Sequence, residues 1–156
     1  MALPLLTQSV LPAWVDYNGH MNDAAYALLF SHGVEALMVH IGLDDHGRHA
    51  HGCTIYTLET HLCYLQQVRE GAQVRCEVVL LETDAKRLHV FFNLIDDREE
   101  TVLATSEQML MGIDTRTDRP AAFAQEIMAR IERLPKATHG NWPEQAGRRI
   151  GFRPRK

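Results

Sequence analysis

The chain has 156 residues, of which 46% are hydrophobic and 23% are charged, and its formal net charge is −4. This composition is typical of a folded globular protein and excludes an intrinsically disordered chain. A chain of this length can bury enough surface to form a stable core. We therefore expect one domain over residues 1–156, with a core of about residues 5–134 and a C-terminal extension over 135–156.

The sequence predicts a cytoplasmic protein. No basic stretch followed by an apolar core begins the chain, and no run approaches the roughly 18 apolar residues that a membrane helix needs. The three cysteines, Cys53, Cys63 and Cys76, are odd in number and form no C-x-x-C pair. Their number and spacing favour reduced thiols over a disulfide framework or a zinc ribbon. No membrane association is expected.

Positive charge is concentrated at the C-terminal end. Five of the last nine residues are basic, namely Arg148, Arg149, Arg153, Arg155 and Lys156. Nucleic-acid binding would need basic residues spread over a face with interleaved aromatic residues, and only Phe152 accompanies these five, so no nucleic acid is expected as a partner. The remaining interpretations are a solvated tail and a tail that helps to hold an anionic ligand, since guanidinium groups match phosphate geometry.

The first predicted elements are an extended segment, a loop and a long helix. Leu5 to Val15 predicts an edge strand or an extended arm, and Asp16 to Asn22 predicts a turn-rich loop. Apolar residues at spacings of three and four then predict a helix from Asp23 to Ile41, which Gly42 ends. Few polar residues interrupt this helix, so we expect other elements to enclose it.

The second half of the chain is predicted to be mainly β. Residues 44–52 are polar and contain glycine, so we expect a loop there. Four long strands follow, over residues 53–68, 72–83, 87–96 and 101–113. The short turns between them predict an antiparallel meander. A second, amphipathic helix over residues 123–134 is expected to end at Pro135.

This order of elements predicts an α+β fold. A helix with a nearly continuous apolar surface is covered by an antiparallel sheet only if the sheet curves around it. That is the hotdog architecture, a long central helix wrapped by a curved antiparallel sheet, here with an additional C-terminal helix. A single protomer of this kind leaves sheet edges and part of the helix uncovered, so we expect a homodimer or a tetramer.

The loop before the long helix is the candidate catalytic site, and it reads Asp16-Tyr17-Asn18-Gly19-His20-Met21-Asn22. The first-turn N–H groups of the helix lack partners within the helix and lie at the positive end of its dipole, so they can bind a polarised carbonyl oxygen. Beside such donors, the Asp16 carboxylate can attack a thioester carbonyl or activate a water. The structural alternative is that Asp16 and Asn18 form an Asx turn and Asn22 caps the helix.

The same loop, followed by Tyr26, resembles the D-x-x-G-H-x-N…Y signature of the 4-hydroxybenzoyl-CoA thioesterase-like hotdog acyl-CoA thioesterases. Residues 56–61, 86–91, 104–110 and 146–148 resemble the thioesterase module found fused to, or beside, L-carnitine dehydrogenase, which is similar in role to a betainyl-CoA thioesterase. The resemblance implies hydrolysis of a short acyl-CoA, with betainyl-CoA as the substrate, and a functional association with carnitine dehydrogenase. Coenzyme A is then part of the substrate, and no cofactor is expected.

The resemblance also implies roles for individual residues. Asp16 takes the place of the catalytic carboxylate, as a nucleophile or as a general base, and the thioester carbonyl would point at the backbone N–H of Asp23. His20 and Asn22 would shape the loop and hold water, or would be purely structural. The side chain of Asp23 is unfavourable beside an oxyanion donor unless it points away to cap the helix.

A betaine acyl group carries a quaternary ammonium, which aromatic faces and carboxylates recognise because it donates no hydrogen bond. Trp14 and Tyr17 flank the loop and are the main candidates for such a cage. Tyr26 is expected either to contact the substrate or to pack in the core with Phe30. The other candidate substrate-binding residues are Gly19, Glu59 and His61, and candidates for contact with the coenzyme A phosphates are Arg87, Arg148 and Arg149.

Other groups of reactive residues are weaker candidates for a metal or catalytic site. His46, His49 and His51 lie in a short stretch without the fixed geometry of a metal site, so no metal is expected. His61 and His89 are expected to pack or to line a pocket rather than to form a catalytic pair. All three thiols are expected to be buried and inert.

Three other functions compete with the leading interpretation. The first is a non-catalytic acyl-CoA-binding hotdog module. The second is a thioesterase for another short or aromatic acyl-CoA. The third is a hotdog dehydratase with a catalytic histidine on the long helix, but His32 and His40 lie too far along it to share its N-terminal donors.

Overall fold

The computed structural model describes residues 1–152, so Arg153, Arg155 and Lys156 of the basic tail lie outside the described residues. Its described part is an antiparallel sheet curled around one long helix. The helices are α1 (Asp23–His40), α2 (Asp45–His51) and α3 (Gln125–Ile131), and a 3-10 turn covers Pro12–Trp14. The strands are β1 (Leu3–Ser9), β2 (Cys53–Tyr64), β3 (Gln73–Thr83), β4 (Arg87–Asp96), β5 (Val102–Asp114) and β6 (Arg119–Pro120). The predicted α+β class and hotdog architecture are confirmed.

Helix α1 is enclosed on one side only. Leu29, Phe30 and Leu37 are almost completely buried against the sheet, whereas Leu28 is exposed and Val39 is 59% exposed. Within residues 1–152, no single helix is long and apolar enough to cross a membrane; α1 and α2 meet those criteria only as a pair, with a bend of 61° between them.

The sheet order is β1-β3-β4-β5-β2, with β6 beside β5, so the predicted meander is wrong for β2. Strand β2 pairs with β5 instead of with β3, and it ends at Tyr64 rather than at Val68. The connection over residues 65–72 is too long for a tight hairpin, and Val68 in it accepts a hydrogen bond from the N–H of Met21 (2.9 Å). This contact draws the connection toward the start of α1. As a result, β1 and β2 are the two edges of the sheet.

The loop predicted over residues 44–52 is wrong, because these residues form α2. The carboxylate of Asp44 accepts a hydrogen bond from the N–H of Gly47 (2.7 Å) and caps the helix. Gly52 ends it in the left-handed region, at φ +58°. Both capping residues are visible in the sequence, but the many polar residues between them obscured the helix. Helix α3 begins and ends inside its predicted range of 123–134.

The C-terminal extension covers part of the outer face of the sheet. Side chains from residues 137–146 form a second, small core with side chains of β3 and β4 that point away from α1. Its members are Ala137, Trp142, Ala146, Val79, Leu81 and Phe91. The extension is anchored by a hydrogen bond from the N–H of Gly147 to the Glu107 carboxylate (2.8 Å).

Removing the cap of α2 tests this unexpected helix. We expect Asp44→Ala to lower the free energy of unfolding by about 1 kcal/mol, because the N–H of Gly47 loses its acceptor. Urea denaturation followed by circular dichroism measures the change. The matched control is Asp45→Ala, whose exposed carboxylate caps nothing, and it is expected to stay within about 0.5 kcal/mol of the parent. Equal losses in the two variants would contradict the capping role of Asp44.

Candidate active site

The loop over residues 16–22 is a tight hairpin directly before α1. Val15 pairs with Met21, and the N–H of Asp16 donates to the carbonyl oxygen of His20 (3.0 Å). At the tip, Gly19 adopts φ +78°, which a residue with a side chain adopts only with strain. Gly19 therefore fixes the shape of the hairpin. The hairpin brings Asp16 and His20 opposite each other.

Asn22 joins this hairpin to the helix. Its side-chain oxygen accepts a hydrogen bond from the N–H of Ala25 (2.9 Å), which makes it the N-cap of α1. Its side-chain nitrogen and its backbone N–H both donate to the carbonyl oxygen of Trp14, at 2.7 and 2.9 Å. These bonds fix the segment that leads into Asp16, at the end of the 3-10 turn, relative to the first turn of α1.

The first turn of α1 presents a free donor at its start. The N–H of Ala24 donates to the carboxylate of Asp23 (3.0 Å), and the N–H of Ala25 is taken by Asn22. The N–H of Asp23 makes no hydrogen bond with the described residues, and it lies at the positive end of the α1 dipole. The Asp23 carboxylate stays at the N-terminus of α1, where it accepts a hydrogen bond from the N–H of Ala24 beside this free donor.

The Asp16 carboxylate is exposed in the protomer. One of its oxygens accepts a hydrogen bond from the N–H of Asn18 (2.8 Å), so the predicted Asx turn is present, as is the predicted cap by Asn22. The two candidate cage residues lie in different environments. Trp14 packs half-buried against the core, whereas Tyr17 is 98% exposed. A cage between these two rings is therefore not formed within one protomer.

Tyr26 packs in the core. Its hydroxyl donates to the carbonyl oxygen of Gln66 (3.0 Å), and its ring meets that of Tyr64 edge to face, with centroids 5.3 Å apart. Burial, and then the neighbouring Tyr64, raise the pKa of the Tyr26 hydroxyl. Tyr64 in turn donates to the carbonyl oxygen of Asp23 (3.3 Å). The end of β2 is thereby attached to the first turn of α1.

Two cavities lie along β2. The first, of about 860 Å³, lies between α1 and the inner face of the sheet and is lined by Phe30, Thr60 and Gln108 among others. The second, of about 380 Å³, is lined by Glu59, Glu107, His89 and Arg148 among others. His61 lines both. The predicted substrate-binding residues Glu59 and His61 thus border cavities, but neither cavity is lined by Asp16.

His89 is held between two carboxylates. Its ring nitrogens lie 3.0 Å from Glu82 and 2.7 Å from Glu107, and the ring of Trp142 packs against it edge to face. His61 instead lies with a ring nitrogen 3.8 Å from the sulfur of Cys63. The two histidines have separate partners, so they line pockets and pack, as predicted.

The candidate phosphate-binding residues differ in their availability. The guanidinium of Arg87 is engaged by Asp84, with contacts of 2.6 and 2.8 Å. Arg148 borders the second cavity, and its Nε is buried without a partner among the described residues, whereas Arg149 is exposed.

Sequence reasoning missed Arg69. Its backbone pairs with His20, and its guanidinium lies 3.5 Å from the position that a Cβ atom on Gly19 would occupy. Arg69 is therefore the cation beside the Asp16 hairpin. Nothing in the sequence links it to a loop some fifty residues earlier, because the contact depends on the unpredicted path of residues 65–72.

The three thiols differ in burial. Cys53 and Cys76 are buried, and desolvation, followed by the charge of Glu77, raises the pKa of Cys76 to about 12. Cys63 is only half-buried, so the prediction of three buried thiols is wrong for it, since edge strand β2 is covered incompletely. Residues 1–152 contain no group of three or more His, Cys, Asp or Glu side chains that could hold a metal, and His46, His49 and His51 lie on α2.

Thiol labelling tests this arrangement. In the native protein we expect Ellman's reagent to react rapidly with one thiol, Cys63, because the other two are buried and their thiolate forms are disfavoured. All three should react after unfolding in guanidinium chloride. The variant Cys63→Ser is expected to lose the rapid phase. Rapid reaction of two or three thiols in the folded parent would contradict the described core.

Known proteins resemble this chain along most of its length. Residues 10–131 match the family model of the thioesterase-like superfamily. The betainyl-CoA thioesterase of Pseudomonas aeruginosa PAO1 is 47% identical over 146 residues, which cover 93% of this chain and 92% of that protein. The L-carnitine dehydrogenase/betainyl-CoA thioesterase of Agrobacterium fabrum is 40% identical over 86% of this chain, and the match spans 27% of that longer protein.

Solved structures share the fold. The protein SAV2348 from Staphylococcus aureus, solved in complex with CoA, is 33% identical, with a TM-score of 0.86 over 98% of this chain and 96% of that chain. A candidate thioesterase from Pseudomonas putida KT2440 is 37% identical, with a TM-score of 0.83 over 99% of both chains.

Proposed function

The chain belongs to the thioesterase-like superfamily and is a thioester hydrolase, and we propose that it hydrolyses betainyl-CoA to betaine and CoA. The observation that carries the choice of substrate is the 47% identity to the P. aeruginosa betainyl-CoA thioesterase over nearly the full length of both chains. The fused relatives support a role beside a carnitine dehydrogenase. The cytoplasmic location stays a prediction.

Asp16 and the first turn of α1 carry the chemistry in this proposal. The thioester carbonyl oxygen accepts a hydrogen bond from the N–H of Asp23, and this donor and the helix dipole stabilise the negative charge that develops there. Asp16 either attacks the carbonyl carbon, giving a mixed anhydride that water hydrolyses, or takes a proton from an attacking water. On both routes the C–S bond breaks, and the sulfur leaves with CoA.

Asn22 is a positioning residue in the same mechanism. The carboxylate must face the carbonyl carbon while the oxyanion donor meets the carbonyl oxygen, and small errors in such geometry slow a reaction strongly. The bonds from Asn22 to Trp14 and Ala25 support this role, because they connect the hairpin that carries Asp16 to the turn that carries Asp23. His20 lies across the hairpin from Asp16 and completes its stem.

A second copy of the chain is proposed to complete the site. The unpaired edge of β2 and the uncovered side of α1 expose large apolar side chains: Tyr56, Leu58, Tyr64, Leu65, Leu28 and Val39. Pairing of these surfaces would bury apolar area and protect the sheet edge. Since Tyr64 contacts Asp23, the same pairing would cover the first turn of α1 and exclude water from the thioester. The resulting assembly is a homodimer, or a tetramer of two such dimers.

Arg69, Arg148 and Arg149 are the groups proposed to bind the phosphates of coenzyme A. Arg69 lies beside the hairpin, and Arg148 borders the second cavity with an Nε that has no partner within residues 1–152. Arg87 is the weakest of the predicted candidates, since Asp84 already neutralises it. The S. aureus neighbour that was solved in complex with CoA supports a coenzyme A thioester as the substrate.

The competing functions differ in what they require. A binding module would saturate with acyl-CoA without releasing a free thiol, so thiol release by the parent protein separates it from an enzyme. A dehydratase would need a histidine near the oxyanion donor, and both His32 and His40 are exposed beyond the second turn of α1.

Replacing Asp16 tests the proposed chemistry. We expect Asp16→Asn to lower kcat for betainyl-CoA by about 10²- to 10⁴-fold, because an amide neither attacks the carbonyl nor accepts a proton. Thiol release measured with Ellman's reagent gives the rate, and circular dichroism and size-exclusion chromatography should match the parent. The control is Asp45→Asn, an exposed aspartate on α2, with parental kcat expected. Parental turnover in the Asp16 variant would contradict the assignment.

A further inference from the structure

The cavity between α1 and the inner face of the sheet is mainly apolar. Its helix side includes Phe30 and Val34, its sheet side includes Thr60, Leu62 and Gln108, and Ile150 of the C-terminal extension also borders it. Ala27 lies one helical turn beyond Asp23, which carries the free N–H donor. The lining of this cavity therefore begins one helical turn, about 6 Å along α1, from the proposed oxyanion donor.

Gln108 borders this cavity and the second one, and it is the residue of this lining whose side chain keeps a buried atom without a hydrogen-bond partner among the described residues. It is 4% exposed, and its Nε2 donates to the hydroxyl of Ser106 (2.9 Å), which is fully buried. Its Oε1 is buried and has no hydrogen-bond partner within the described residues. A buried acceptor without a partner destabilises a folded protein, so Oε1 calls for a contact that the described residues do not supply.

The direction of the Gln108 side chain follows from its register. Gln108 lies opposite Thr60 in β2 and opposite Val90 in β4, and Val90 belongs to the main core around α1. Its neighbour Glu107 lies opposite Phe91, which belongs to the small core on the outer face. Because side chains alternate along a strand, Gln108 points to the inner face, where the cavity lies.

An unpaired amide oxygen selects for positive charge. The partial negative charge of this oxygen attracts the polarised methyl groups of a quaternary ammonium, repels a carboxylate and interacts only weakly with a neutral alkyl group. The ring of Phe30 in the same lining adds an aromatic surface, which favours the same cation.

We propose that Gln108 determines substrate specificity by placing its Oε1 against the cationic end of the acyl group, with Ser106 orienting the amide. This proposal rests on the proposed hydrolysis of betainyl-CoA and assigns the recognition of its quaternary ammonium to the inner cavity. The sequence-based candidates Trp14 and Tyr17 lie outside this cavity's lining.

The test compares two substrates of the same shape. Betainyl-CoA carries a trimethylammonium group, and 3,3-dimethylbutanoyl-CoA carries a neutral carbon in place of that nitrogen. In Gln108→Met, the ratio of kcat/KM for the cationic substrate to that for the neutral one is expected to fall about ten-fold, since the acceptor oxygen is lost. The neutral substrate should be hydrolysed at the parental rate or faster. Gln108→Leu replaces this variant if methionine prevents folding.

Two further variants show whether the oxygen itself matters. Gln108→Glu keeps an acceptor oxygen at the same place and should keep or increase the preference for the cationic substrate. Gln125→Met makes the same replacement at an exposed glutamine of α3 and should leave the ratio unchanged.

The outcomes separate the two proposals. A parent protein that releases no thiol from betainyl-CoA would overturn the proposed function. If the parent hydrolyses betainyl-CoA and Gln108→Met keeps the parental ratio, or loses both substrates equally, the role of Gln108 is wrong while the function stands.

Discussion

The hydrogen bonds of Asn22 are the connection on which the site depends. One side chain accepts from the first turn of α1 and donates to the carbonyl oxygen of Trp14, so it joins a helix end to a hairpin. The helix contributes an unpaired N–H in a positive field, and the hairpin contributes a carboxylate. Neither group is unusual alone. In the proposed mechanism, their fixed relation gives a thioester two partners at once, which is what acyl transfer requires.

The features predicted correctly from the sequence are those set by local pattern. The spacing of apolar residues placed α1, and the alternation of strands with short turns placed β3, β4 and β5. The pairing of β2 with β5 was missed because the pattern of residues predicts a strand but does not specify which strand it pairs with. Helix α2 was missed because its seven residues show no apolar stripe, although Asp44 and Gly52 cap it.

The residues of the proposed site also divide into those that a local motif reveals and those that depend on long-range contacts. Asp16, Asn22 and Asp23 are adjacent in sequence, so a local motif sufficed to bring them together. The position of Arg69 depends on the path of residues 65–72, and the position of Gln108 depends on the strand register. No local sequence pattern reveals either of them. Burial decides the importance of Gln108, since the same amide at the surface would be satisfied by water.

A structure with a stable substrate analogue tests the central claim most directly. In a ketone analogue of betainyl-CoA, a methylene group replaces the sulfur and hydrolysis is blocked. We expect the ketone oxygen to lie about 2.7–3.1 Å from the backbone nitrogen of Asp23, with the Asp16 carboxylate facing the carbonyl carbon. A ketone bound away from the first turn of α1, with Asp16 still turned toward solvent, would contradict it.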